Sequence, residues 1–126
     1  MKTVINTVNA PAPIGPYSQA IVAGDFIFVS GQVAIDAATG ELILDDIKTE
    51  TFKVMENIKA ILTEAGVGFD HIVKTTIFLK DMQSFAQVNE VYSGYFTEKF
   101  PARETVAVAG LPKNVNVEIS VTALKS

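Results

Sequence analysis

Apolar and polar residues alternate along this chain in short runs, and the period of each run predicts an element. In QAIVAGDFIFVSGQVAI two apolar runs flank a break at Ala23-Gly24-Asp25, which predicts a β-hairpin. In its second run Phe26, Phe28 and Ser30 share one face, and Ile27, Val29 and Gly31 the other. DDIKTETFKVMENIKAILTEAG places Ile47, Val54, Met55, Ile58, Ile61, Leu62 and Ala65 on one helical stripe. Asp45 or Asp46 can cap that helix and Gly66 can end it. HIVKTTIFLK alternates again, with Val73, Thr75, Ile77 and Leu79 opposite Ile72, Lys74, Thr76 and Phe78. A second helix is predicted from Ser84 to Thr97, with Phe85, Val88, Tyr92 and Phe96 on one face. RETVAVA and VNVEISVTAL close the chain as two strands.

The order β-β-α-β-α-β-β, with a possible short strand at the N-terminus, predicts an α+β sheet with both helices on one face. That leaves the other face uncovered, although FIFVSGQVAI is apolar on both sides. Self-association through the open face is the simple solution.

A register follows if the last two strands form a hairpin across GLPK. Matching apolar to apolar pairs Val108 with Val115 and Val106 with Val117. Thr105 then lies opposite Glu118, and Arg103 opposite Ser120, with Cβ atoms ~5 Å apart. Arg103, Thr105 and Glu118 would meet on the face away from the helices, and Glu104 would fall awkwardly opposite Ile119. One reading is a solvated sheet face with an Arg–Glu pair. The sharper one is a cleft closed by oligomerisation, in which Arg103 grips a carboxylate and Glu118 orients or deprotonates water.

Length and composition narrow the chemistry. The 126 residues fit one domain, residues 1–126. With 48% hydrophobic and 19% charged residues the chain is an ordinary globular one. It has no cysteine, which removes thiol nucleophiles and thiolate metal sites. A net charge of −4 and the lack of a Lys/Arg cluster argue against a nucleic-acid surface. No apolar run approaches the ~18 residues of a membrane span. The N-terminus lacks a signal-peptide stretch, so the cytoplasm is the default location. The single histidine, His71, allows neither a Ser-His-Asp triad nor a multi-histidine metal site.

Several motifs occur in order: PIGPYSQA (13–20), VSGQ (29–32), NIKAILTEAG (57–66), IVKTTIFLKDM (72–82), FAQVNEVYSGYF (85–96), FPAR (100–103) and LPKNVNVEI (111–119). Together they closely resemble the RidA/YjgF family of reactive-intermediate deaminases, also labelled endoribonuclease L-PSP. The resemblance implies a chorismate-mutase-like α+β fold and a homotrimer with a barrel core and sites in the clefts between subunits. It further implies hydrolysis of enamines and imines such as 2-aminoacrylate, 2-iminopropanoate and 2-iminobutanoate to 2-keto acids and ammonia. Neither cofactor nor metal is implied.

By the same resemblance, Arg103 in FPAR binds the substrate carboxylate, and the Gly31 backbone in SGQ helps hold it, with Ser30 adjacent. Glu118 in NVEI stands near the hydrolytic water. Tyr17 in GPYSQ lines the cleft and Asn89 in QVNEVY is a polar site residue. Thr105 stands where many members carry cysteine; its hydroxyl can still make a hydrogen bond, but thiol chemistry is lost. Glu104 replaces a frequent serine, and a short TEKFPAR connection reshapes the rim. The alternatives are a carboxylate-binding or chaperone-like module, an RNA-cleaving translation inhibitor, and a pathway-specific deaminase.

Overall fold

The computed structural model describes residues 1–126. Its strands are β1 (Lys2–Ile5), β2 (Ala20–Ala23), β3 (Phe26–Gln32), β4 (Ile72–Leu79), β5 (Ala102–Ala107) and β6 (Val117–Leu124). Helices α1 (Ile47–Glu64) and α2 (Phe85–Ser93) follow β3 and β4. The strands form one mixed, six-stranded sheet in the order β1-β2-β3-β6-β4-β5.

The β2–β3 hairpin forms as predicted, with Ala23 paired to Phe26 and Gly24 taking φ +60° in the turn. Helix α1 is capped by Asp46, whose side chain accepts from the Thr49 N–H at 2.7 Å. Its stripe of Val54, Met55, Ile58, Ile61 and Leu62 packs in one core with Ile27, Val29, Ile77, Leu79, Val117, Ile119, Val121 and Ala123 of the sheet. Both helices thus lie on one face. Helix α2 is shorter than predicted and stops at Ser93, because Gly94 caps it. Tyr95 and Phe96 then turn back and pack their rings on Phe69.

Two bulges override simple alternation. The β3–β6 register shifts between Val29 and Gln32, which buries Gln32 and turns Gly31 toward the open face. The β4–β6 register shifts between Ile72 and Lys74, so Ile72 is buried and Val73 exposed.

The predicted β5–β6 hairpin does not form. Strand β4 stands between the two, parallel to β5 and antiparallel to β6. Val117, Ile119, Val121 and Ala123 are all buried, and a strand so apolar takes the centre of the sheet, between β3 and β4. The connection across GLPK is a crossover past the end of β4. Val108 N–H donates to Leu79 O at 2.9 Å and Lys80 N–H to Asn116 O at 3.0 Å. A 3₁₀ turn over Pro112–Asn114, with Lys113 and Asn114 at positive φ, completes the reversal.

The parity of β5 is as read from the sequence, but the faces are exchanged. Thr75 pairs with Arg103 and Ile77 with Thr105, on the helix side. Glu118 pairs with Phe78 and lies on the open side. Glu104, also on the open side, pairs with Lys74 at 3.1 Å and accepts from the Thr76 hydroxyl at 2.7 Å. The open face carries exposed Phe26, Phe28, Val106 and Leu124.

Candidate active site

The residues singled out in the sequence fall into two groups on opposite faces of the sheet. The first group surrounds Glu118. A cleft of about 320 Å³ is lined by Ile14, Tyr17, Ser30, Gly31, Pro112 and Glu118. The β3 bulge creates it: Gly31 has no side chain, and the Glu118 carboxylate occupies the space above it. Ser30 is fixed by its N–H donating to Gln19 O at 2.9 Å and its hydroxyl donating to Ser18 O at 2.6 Å. Tyr17 stays half exposed, and its hydroxyl accepts a long bond from the Ile14 N–H at 3.4 Å. No cation pairs with Glu118. Burial therefore pushes its pKa above the ordinary glutamate value.

The second group surrounds Arg103 on edge strand β5. A cleft of about 460 Å³ is lined by Asn89, Tyr92, Ser93, Phe100, Pro101 and Arg103. One Arg103 Nη1–H donates to Asn89 Oδ1 at 2.7 Å. The guanidinium carbon lies 5.1 Å from the Tyr92 ring centroid and 5.7 Å from that of Phe85. No carboxylate pairs with it. Spacing on α2 explains the set, since Phe85, Asn89 and Tyr92 recur at helical intervals along the face turned to β5. Burial raises the Tyr92 pKa, opposed by its bond to Thr75 and by the charge of Arg103.

Thr105 lines neither cleft, and its hydroxyl is buried without a hydrogen-bond partner. The sequence-derived triad of Arg103, Thr105 and Glu118 is therefore not assembled within one chain. Its two ends point to opposite sides of the sheet.

Several residues that complete these clefts carry no signal in the register argument. Pro112 lies at the crossover, where matching the last two strands predicts a hairpin turn. Tyr92, which lines the Arg103 cleft, and Phe85, which packs against the guanidinium, sit on the apolar face predicted for the second helix. Glu50 in α1 is fully buried, and its carboxylate accepts from Asn116 N and Asn116 Nδ2 at 2.8 Å each and from Val117 N at 3.0 Å. It pins the start of β6 just before Glu118. A buried glutamate among apolar helix positions was the available signal, because burying a carboxylate requires committed donors. No three His, Cys, Asp or Glu side chains converge into a metal cage. No helix is long and apolar enough to cross a membrane.

The chain is similar over nearly its whole length to known sequences and solved structures. The family model described as endoribonuclease L-PSP matches residues 7–125. A RutC family protein of Pyrococcus horikoshii is 56% identical over 125 residues, covering 99% of both chains. The crystal structure of E. coli TdcF with bound serine superposes with a TM-score of 0.93 at 39% identity, over 98% of this chain and 99% of that one. RidA from the Antarctic bacterium Psychrobacter matches at TM-score 0.93 and 41% identity, over 97% and 98% of the two chains. With the family model matched over residues 7–125 and the fold superposing over nearly the whole chain, this chain belongs to the RidA/YjgF family, the endoribonuclease L-PSP family.

Proposed function

We propose that this protein hydrolyses short-chain 2-imino acids, and the enamines that tautomerise to them, to 2-keto acids and ammonia. The observation that carries this reading is an uncompensated guanidinium facing a cleft. Arg103 is held by a neutral amide and two aromatic rings, with no carboxylate of its own chain. A substrate carboxylate supplies the missing anion through the planar fork. The serine bound to TdcF is a ligand with such a carboxylate.

Glu118 supplies the second requirement. Its raised pKa brings the carboxylate nearer to the pH at which a general base works best. With the acid group on Arg103, the imine carbon is a fixed electrophile. Glu118 takes a proton from water as the oxygen adds to that carbon. Addition to the protonated imine leaves a carbinolamine. Glu118 passes its proton to that nitrogen, the C–N bond breaks as ammonia departs, and the hydroxyl gives its proton back to the Glu118 carboxylate as the carbonyl forms. Holding water against a fixed carbon is the main source of rate in such a site.

Arg103 and Glu118 lie on opposite faces of the sheet in one chain. In the proposed assembly the Arg103 cleft of one subunit meets the Glu118 cleft of a neighbour, as in the homotrimer that the family resemblance implies. The test is subunit complementation. Arg103→Ala and Glu118→Gln proteins are each assayed for clearance of imines that an amino-acid oxidase generates. Each alone is expected to lose most activity. Co-assembled, they form sites with Arg103 from one chain and Glu118 from the other, and activity returns. Activity in either variant alone overturns the assigned role. A mixed assembly as inactive as its parents overturns the shared site.

A further inference from the structure

We infer that Tyr92, anchored by Thr75, is a positioning residue that holds the Arg103 guanidinium in the orientation that reads a ligand carboxylate. The inference deepens the deaminase reading and rests on it for the identity of the ligand. Three observations carry it.

The Tyr92 ring lies 5.1 Å from the guanidinium carbon, within the range of a cation–π contact. Phe85 is also in range at 5.7 Å, but the two rings differ in setting. Phe85 is 38% exposed and Tyr92 only 4%. Water competes with the exposed ring, so the buried one contributes the larger share of the attraction.

The ring is itself fixed. Its hydroxyl donates to Thr75 Oγ1 at 2.9 Å in a buried hydrogen bond, and Thr75 is fully buried. Thr75 is also the β4 register partner of Arg103. The β4–β5 pairing thus sets the distance between the anchor of the ring and the root of the arginine. Asn89, one turn earlier on α2, takes one N–H of the same guanidinium at 2.7 Å.

Ring and amide together satisfy the cation without neutralising it. A carboxylate in the place of either would cancel the charge that a substrate must meet. The remaining N–H donors stay available to an anion entering beside Phe100 and Pro101, which line the same cleft. The ligand class that follows is a small carboxylate held through its anionic oxygens, with discrimination against uncharged analogues.

Binding of 2-oxobutanoate and of its methyl ester, followed by calorimetry or NMR titration on the assembled protein, tests this apart from catalysis. Tyr92→Phe keeps the ring and is expected to bind the keto acid within about threefold of the parent. Tyr92→Leu is expected to weaken it about tenfold and to leave the ester unmoved. In the imine assay the same loss appears in KM rather than kcat. Pentafluorophenylalanine at position 92 preserves the ring's shape and reverses its quadrupole. Its affinity should fall like that of Tyr92→Leu, and it serves if the leucine variant does not fold. Thr75→Val should fall between parent and leucine variant. Unchanged keto-acid affinity with the fluorinated ring, or an equal loss for acid and ester, overturns the inference and leaves the deaminase reading standing. Keto-acid binding that depends on Tyr92 in a protein that clears no imine overturns the deaminase reading and keeps the inference. A parent protein with no affinity for the keto acid overturns the inference as well.

Discussion

Gly31 lies directly beneath Glu118: a Cβ built on Gly31 would fall 2.8 Å from the carboxyl carbon Cδ of that glutamate. The β3 bulge brings the two together, and the missing side chain is what leaves room for the carboxylate. Gly31 is not in the left-handed region of backbone space, so an alanine is not strained there. The glutamate is the far end of a flexible side chain and can move away.

Gly31→Ala is therefore expected to act on position rather than on folding. The melting temperature should stay close to that of the parent. The value of kcat should fall by about tenfold to a hundredfold, as a misplaced base costs that much. Thermal melts beside imine-clearance kinetics decide it, and a fully active alanine variant would show that Glu118 works from another rotamer.

Glu118 makes a second prediction, in pH. Burial raises its folded-state pKa, so the folded chain keeps this proton to higher pH than the unfolded chain does. Between the two pKa values the native state binds more protons, and stability declines as pH rises. Glu118→Gln is then more stable than the parent at neutral pH, and the advantage disappears below the ordinary glutamate pKa of 4.5. As a base the group works only when ionised, so the parent's kcat should climb through the raised pKa. Melting temperatures across pH and a kcat–pH profile measure both effects.

The orphaned hydroxyl of Thr105 makes a third. Thr105→Val keeps the shape and removes a buried donor without a partner. The change is expected to stabilise the folded chain by about 1 kcal/mol. Urea unfolding measures this. A loss of stability instead would mean that the hydroxyl finds a partner in the assembled protein.

Glu50 makes a fourth. Three N–H groups at Asn116 and Val117 converge on its carboxylate. In Glu50→Gln an amide N–H group meets those donors, at an expected cost of about 2–3 kcal/mol in unfolding free energy. Because these bonds hold the start of β6, catalytic rate should fall together with stability. Urea unfolding and kinetics on the same preparation check the pair.

Periodicity made the elements legible because each is amphipathic. The α1 stripe, the β2–β3 hairpin and the placement of both helices on one face all follow from burial of one side. The β5–β6 register failed for a reason specific to strands. Val106 and Val108 match Val115 and Val117 in apolar character, yet pairing two strands ignores a third that competes for the same edge. β4 carries Ile77 and Leu79 and takes the place beside β6. Bulges were equally hidden, since one inserted residue leaves no mark in composition, and Gly31 and Ile72 changed face as a result. Among the candidate site residues, strand periodicity singles out Arg103, Thr105 and Glu118, and the ordered motifs add Tyr17, Ser30, Gly31 and Asn89. Their separation onto two faces became visible only with the strand order.

Strand β6 follows the other five strands in the chain, yet sits between β3 and β4. Until it leaves the ribosome, the nascent polypeptide holds two unjoined pieces, β1-β2-β3 and β4-β5, with no ladder between them. Native pairing thus waits for β6 to emerge, and a stop codon ahead of Val117 would release a product lacking the strand that joins the two ladders.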